Sequence, residues 1–169
     1  MEARLQCGGG VLVVGSFIMN DGMIYGRSVT ARSAVRVAGG TFTMNGGVVT
    51  GLGFTMAGGV HVFDGTFIMN DGEIRDSIRL ASAGDVTRVA GGVTLDNGIF
   101  TMNGGAITGN GARGSVGISF SNIETSGGGV QINGGIFTMN GGRISENDSL
   151  GIQAIGRNLV GRPWWWSTG

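Results

Sequence analysis

The chain has 169 residues, of which 37 are glycine and one is proline. Glycine this far above its usual share of roughly 7%, with almost no proline, excludes collagen and polyproline linkers, and a hydrophobic content of 41% excludes a typical disordered tract. The 11 basic residues, all arginine, balance 11 acidic ones, so there is no general field to attract nucleic acid or an anionic membrane.

Residues 1–7 form a lead with no repeat character. Cys7 is the only cysteine, which excludes an intrachain disulfide and a cysteine metal cluster. Leu5-Gln6-Cys7 has the outline of a lipoprotein cleavage site, but no long apolar segment precedes it. Nor does a basic region followed by an apolar run stand at the N-terminus, so no export signal is expected in this chain. Val11-Leu12-Val13-Val14 is far too short to cross a bilayer, and no transmembrane insertion is expected.

From residue 8 to residue 147 the chain repeats itself. The string Phe-x-Met-Asn-x-Gly starts at Phe17, Phe42, Phe67, Phe100 and Phe137, and a degenerate copy starts at Phe54. Seven residues before each Phe stand Gly10, Val35, Val60, Val93 and Val130; five before stand Leu12, Val37, Val62, Leu95 and Ile132. Two after stand Met19, Met44, Met69, Met102 and Met139, and seven after stand Ile24, Val49, Ile74, Ile107 and Ile144. Within each run the apolar spacing is two, the period of a strand. Glycine pairs such as Gly134-Gly135 and Gly141-Gly142 separate the runs and allow sharp corners. Helical repeats are discounted because a glycine pair every ten residues or so costs a helix about 1 kcal/mol per glycine.

Short strands joined at glycine corners and repeated in this way predict an all-β right-handed parallel β-helix of about five to seven coils. Equivalent side chains then stack into a Phe ladder, a Met ladder and aliphatic ladders. Asn20, Asn45, Asn70, Asn103 and Asn140 are expected to stack at one corner, each amide bonding the coils above and below, with Asn110 and Asn147 as a shorter pair at the next.

The segments 75–92 and 108–129 are longer inserts, expected to bulge as loops at one corner, with Ile118-Ser119-Phe120 as an extra strand. Residues 148–169 form an irregular tail. Its Trp164-Trp165-Trp166 run must be written TGGTGGTGG in DNA. Read one base later, and with Ser167 as AGT, it gives Gly-Gly-Gly-Val, the coil opening at Gly8-Gly9-Gly10-Val11 and Gly127-Gly128-Gly129-Val130. The tail therefore reads as an out-of-frame copy of the next repeat.

His61, the only histidine, sits between Val60 and Val62 and is expected to point outward without a partner for a triad or a metal site. Asp21 and Asp71 share a repeat position two coils apart, roughly 10 Å by strand spacing, and Asp64 and Asp96 lie one coil apart and one residue out of register. All four are read as turn caps, not as the acid pair of a polysaccharide-cleaving enzyme. No catalytic, cofactor-binding or metal residue is assigned, and no enzyme activity is expected. The outward pairs beside each Phe mix threonine with isoleucine: Ser16 and Ile18, Thr41 and Thr43, Thr66 and Ile68, Ile99 and Thr101, Ile136 and Thr138. This is a partial array of the kind that binds ice.

The Phe-x-x-Asn element together with Gly-Gly-x-Ile, seen at Gly104-Gly105-Ala106-Ile107, resembles the repeats of bacterial polymorphic outer membrane proteins and other adhesin-like right-handed β-helices. That resemblance implies an adhesive module displayed at the cell surface or secreted, with a host-cell or glycan surface as partner. The alternatives are a truncated piece of a longer repeat protein, a carbohydrate-active β-helix enzyme and an ice-binding protein. The exposed ends of such a stack are expected to promote self-association.

Overall fold

The computed structural model describes residues 10–27, 33–53, 57–81, 90–114, 127–148 and 152–154. Among them the chain is all strands and turns, with every strand pair parallel and in one of two sheets of nine and seven strands. Each repeat supplies three short strand segments. The first segment comprises β1 (Val11–Val13), the start of β4 (Val35–Met44), the start of β6 (Val60–Met69), β9 (Val93–Leu95), β13 (Val130–Ile132) and β16 (Ile152–Ala154). The second comprises β2 (Ser16–Met19), the ends of β4 and β6, β10 (Ile99–Met102) and β14 (Ile136–Met139). The third comprises β3 (Met23–Arg27), β5 (Val48–Gly53), β7 (Glu73–Arg75), β11 (Ala106–Thr108) and β15 (Arg143–Ser145), and forms the seven-stranded sheet with β8 (Ile78–Ala81) and β12 (Gly111–Gly114).

Repeat lies against repeat in register. Val35 pairs with Val60, Val60 with Val93, and Val93 with Val130. Phe17, Phe42, Phe67, Phe100 and Phe137 pair in succession, as do Ile74, Ile107 and Ile144. The expected ladders are therefore present. The five rings stack with centroids 5.3, 4.9, 4.6 and 4.8 Å apart. Phe42, Phe67 and Phe100 are fully buried, with Met44, Met69 and Met102 beside them in one continuous apolar core. Each such ring contributes roughly 1.5–3 kcal/mol by burial and about 0.5–1.5 kcal/mol more per stacked neighbour.

Asparagines close the corner after the second segment. Asn45 donates its Nδ2 to Oδ1 of Asn20, Asn70 to Asn45, Asn103 to Asn70 and Asn140 to Asn103, each at 2.8 Å. At the next corner Asn110 Nδ2 donates to Asn147 Oδ1 at 3.0 Å and to the Ile74 carbonyl at 2.8 Å. Ser77 takes that place one repeat earlier, with its backbone N–H donating to Asn110 Oδ1 at 3.0 Å. The residue just before this inner polar side chain turns left-handed: Asp76 has φ 53, Gly109 φ 64 and Glu146 φ 57.

Three features differ from the sequence reading. In the first repeat Val11 pairs with Val35 and Val13 with Val37, so the inward residues are Val11 and Val13, not Gly10 and Leu12. Three residues separate Val13 from Phe17, where four separate Val37 from Phe42, and counting back from Phe slips by one. Second, the inserts do not begin as loops. Ile78 pairs with Leu52, and β12 pairs with β8 along its length, so both inserts first lengthen the seven-stranded sheet beyond the left-handed turn. Third, pairing runs on past residue 147, through a bridge between Gly111 and Asp148 and through β16 on β13. Phe54, Ile118-Ser119-Phe120 and Trp164-Trp165-Trp166 lie outside the described residues.

Candidate functional site

Alternation along the first segment places one side-chain row on the face opposite the core. Its members pair in register: Leu12 with Arg36, Arg36 with His61, His61 with Thr94, and Thr94 with Gln131. The sequence puts His61 outward and in solvent, yet His61, Thr94 and Gln131 have no exposed surface. The backbone entering β9 and β13 bends back over them. The Ala90 N–H donates to Thr94 Oγ1 at 2.9 Å, and the Gly127 N–H donates to Gln131 Oε1 at 3.1 Å.

His61 is not solitary. Its Nε2 lies 2.8 Å from Asp96 Oδ2. Asn133 donates Nδ2 to Asp96 Oδ1 at 2.8 Å, and Gln131 donates Nε2 to Asn133 Oδ1 at 3.1 Å. A polar chain thus crosses three repeats. With the carboxylate as acceptor, Nε2 is the protonated ring nitrogen. Nδ1 is buried without a hydrogen-bond partner among the described residues.

Burial of Asp96 works to raise its pKa. Hydrogen bonds from His61 and Asn133, with the electrostatic attraction of His61 and Arg36, outweigh it and hold the carboxyl below its ordinary value of 3.8. The side chain of Asp96 is 28% exposed.

Phe63 completes the cluster. The β4–β6 register shifts between Val37 and Ala38 and again before Thr41, so Ala38 pairs with Asp64 and Phe63 has no partner in that ladder. A bulge of this kind redirects a side chain. Phe63 is 46% exposed. Its ring meets His61 edge-on at 6.1 Å, and the Arg36 guanidinium carbon sits 5.0 Å from its centroid. Because the imidazole has no open surface, His61 acts by holding Asp96. The Phe63 ring and the Asp96 side chain reach solvent, with Arg36 and Asn133 partly exposed beside them.

The remaining sequence candidates fall apart from this cluster. Asp21, Asp71 and Asp64 each accept the N–H of the following glycine at 2.7 or 2.8 Å, as turn caps do. The outward pairs beside the Phe ladder do come together as two in-register rows, Ser16, Thr41, Thr66, Ile99, Ile136 and Ile18, Thr43, Ile68, Thr101, Thr138. Ile18, Ile99 and Ile136 stand 58%, 43% and 61% exposed.

Sequence reasoning missed the His61–Asp96 pair because it compared Asp96 with Asp64 by distance from the Phe. Counting from Val60 and Val93 instead puts His61 one residue in and Asp96 three, which are diagonal neighbours on adjacent parallel strands. Among the described residues no group of three or more histidine, cysteine or acidic side chains is placed to hold a metal, and no helix is long and apolar enough to cross a membrane. The chain matches no family model, no curated protein and no solved structure.

Proposed function

We propose that the chain is a right-handed parallel β-helix repeat module that works at a cell surface, presenting its outward strand faces and insert-bearing edge to a binding partner. The pairing of each strand segment with its equivalent in the next repeat supports the β-helix reading, because a chain that winds back over itself once per repeat stacks five Phe residues in four successive pairs. The observation that carries the binding reading is the pair of in-register β-branched rows on the second segment. Ten small or branched side chains, none charged, form a flat and partly apolar patch five strands wide. The resemblance to adhesin-like repeats points the same way.

The test is adhesion of beads coated with the purified chain to epithelial cells and to whole bacteria. The triple variant Ile18→Asp, Ile99→Asp, Ile136→Asp is expected to keep the far-UV circular dichroism of the parent and to lose most of its bead binding. Coated beads that bind no better than bare ones, or a folded triple variant that binds as well as the parent, would refute the proposal.

A further inference from the structure

We infer that Phe63 and Asp96 form a binding subsite for a neutral saccharide. The argument starts from what the cluster costs the fold. Along this strand segment the core is satisfied by Val60, Val62, Val93 and Leu95, and nothing in that packing requires a buried imidazole. Burying His61 with Nδ1 unpartnered among the described residues works against folding. What the imidazole achieves is to fix one oxygen of Asp96 from behind, while Asn133, itself held by the fully buried Gln131, fixes the other. A carboxylate immobilised from its buried side presents its remaining lone pairs outward with little ordering left to be done on binding.

The neighbour of that carboxylate selects the ligand. Phe63 stands out of the ladder as a flat apolar ring, joined to Asp96 through their shared contact with His61. An aromatic ring beside a fixed acceptor suits a molecule with a C–H face and hydroxyl donors. The charges already present narrow the choice. The Arg36 guanidinium over the ring and the ionised Asp96 interact with each other, so a cation or an anion bound here would meet a like charge as well as an opposite one that already has a partner. A neutral sugar escapes both penalties. It would lay its C–H face on Phe63 and donate hydroxyls to Asp96. This subsite lies on the first strand segment, apart from the isoleucine-bearing rows, and so does not depend on them.

Ligand-observed saturation-transfer NMR on the full chain tests this, with lactose, cellobiose and mannobiose as neutral probes and a sulfated heparin disaccharide as the charged one. At least one neutral probe is expected to receive saturation. Phe63→Ala, a change at an exposed position, is expected to weaken it by about tenfold. Asp96→Asn should weaken it severalfold. Both variants should keep the parental circular dichroism, and the triple isoleucine variant should bind sugar unchanged. No transfer to any neutral probe, undiminished transfer in folded Phe63→Ala, or a preference for the sulfated probe overturns the inference. Sugar binding by a chain whose coated beads adhere to no cell refutes the adhesion proposal alone, and isoleucine-dependent adhesion without transfer to any neutral probe refutes this inference alone.

Discussion

Truncating the middle of the Phe ladder puts the stacking argument at risk most directly. Phe67 has no exposed surface and lies between two rings, 4.9 Å from Phe42 and 4.6 Å from Phe100. Replacing a buried phenylalanine by alanine costs roughly 3–5 kcal/mol, and loss of two stacked partners places Phe67→Ala at the upper end, about 4–5 kcal/mol. Phe137 is only half-buried and has one stacked neighbour, Phe100 at 4.8 Å, so Phe137→Ala should cost about half as much, near 2 kcal/mol. Phe67→Leu retains most of the apolar volume but loses both ring contacts, which sets it at about 1–2 kcal/mol. Urea unfolding followed by far-UV circular dichroism measures all three, with the slope of the transition checked for constancy between variants. Should Phe67→Ala leave too little stability to fold, Phe67→Leu against Phe137→Leu preserves the comparison. If the end ring proves as costly to remove as the middle one, or if Phe67→Ala costs less than about 1 kcal/mol, the rings are not the stacked spine described here.

Four further outcomes follow from local geometry. Gly72→Ala should destabilise by about 1–3 kcal/mol in the same urea titration, because φ is +96 and a methyl group there would meet the Gly47 carbonyl oxygen at 2.7 Å. Glu146→Gly should raise the melting temperature by a gain of about 1 kcal/mol, since exposed Glu146 holds φ 57 at the position that Gly109 fills in the preceding repeat. Asp96 contributes stability that is fully present above its unfolded value of 3.8 and is lost as pH falls through its lower folded value. The acid limb of a stability-versus-pH curve should therefore be shallower in Asp96→Asn, and an unchanged limb would mean that the His61 and Asn133 bonds do not favour the ionised form. Finally, β14 and β15 have no following strand among the described residues, and Met139 at that edge is exposed, so sedimentation should show concentration-dependent self-association that Met139→Lys reduces.

The strand segments and the three ladders were legible in the sequence because each depends on one local rule repeated. Alternation decides which face a side chain takes, glycine marks the corner, and equal spacing places Phe42 over Phe17 and Phe67 over Phe42. What escaped depended on something no single repeat contains. The slip at Val11 and Val13 arises from a corner one residue shorter than its neighbours. The entry of Ile78–Ala81 into the seven-stranded sheet follows Asp76 in a left-handed backbone more often taken by glycine, as Gly109 does before Gly111–Gly114. The burial of His61 was hidden most deeply. Its own strand places it outward, as expected, and the same row in the next two repeats is covered by the backbone at Ala90 and Gly127, far along the chain.

The contrast between rows carries the case for where function resides. A ladder in which every rung is the same residue, Phe on Phe or Asn on Asn, is explained by the stack itself, because each side chain finds its best partner in its own copy. The row Leu12, Arg36, His61, Thr94, Gln131 keeps register with no two adjacent rungs alike, and only its last rung, Gln153 on Gln131, repeats a residue. Register without repetition means that the backbone needs the position only to be strand-compatible and leaves the side chain to other demands. In two rungs that demand is visible as an anchor for the backbone entering the rung's own strand, Thr94 for Ala90 and Gln131 for Gly127. In His61 the bond runs sideways to a partly exposed carboxylate beside a ring displaced from its ladder. A departure from the repeat that anchors no incoming strand and sets a fixed carboxylate beside an exposed ring is where recognition of another molecule accounts best for the residues present.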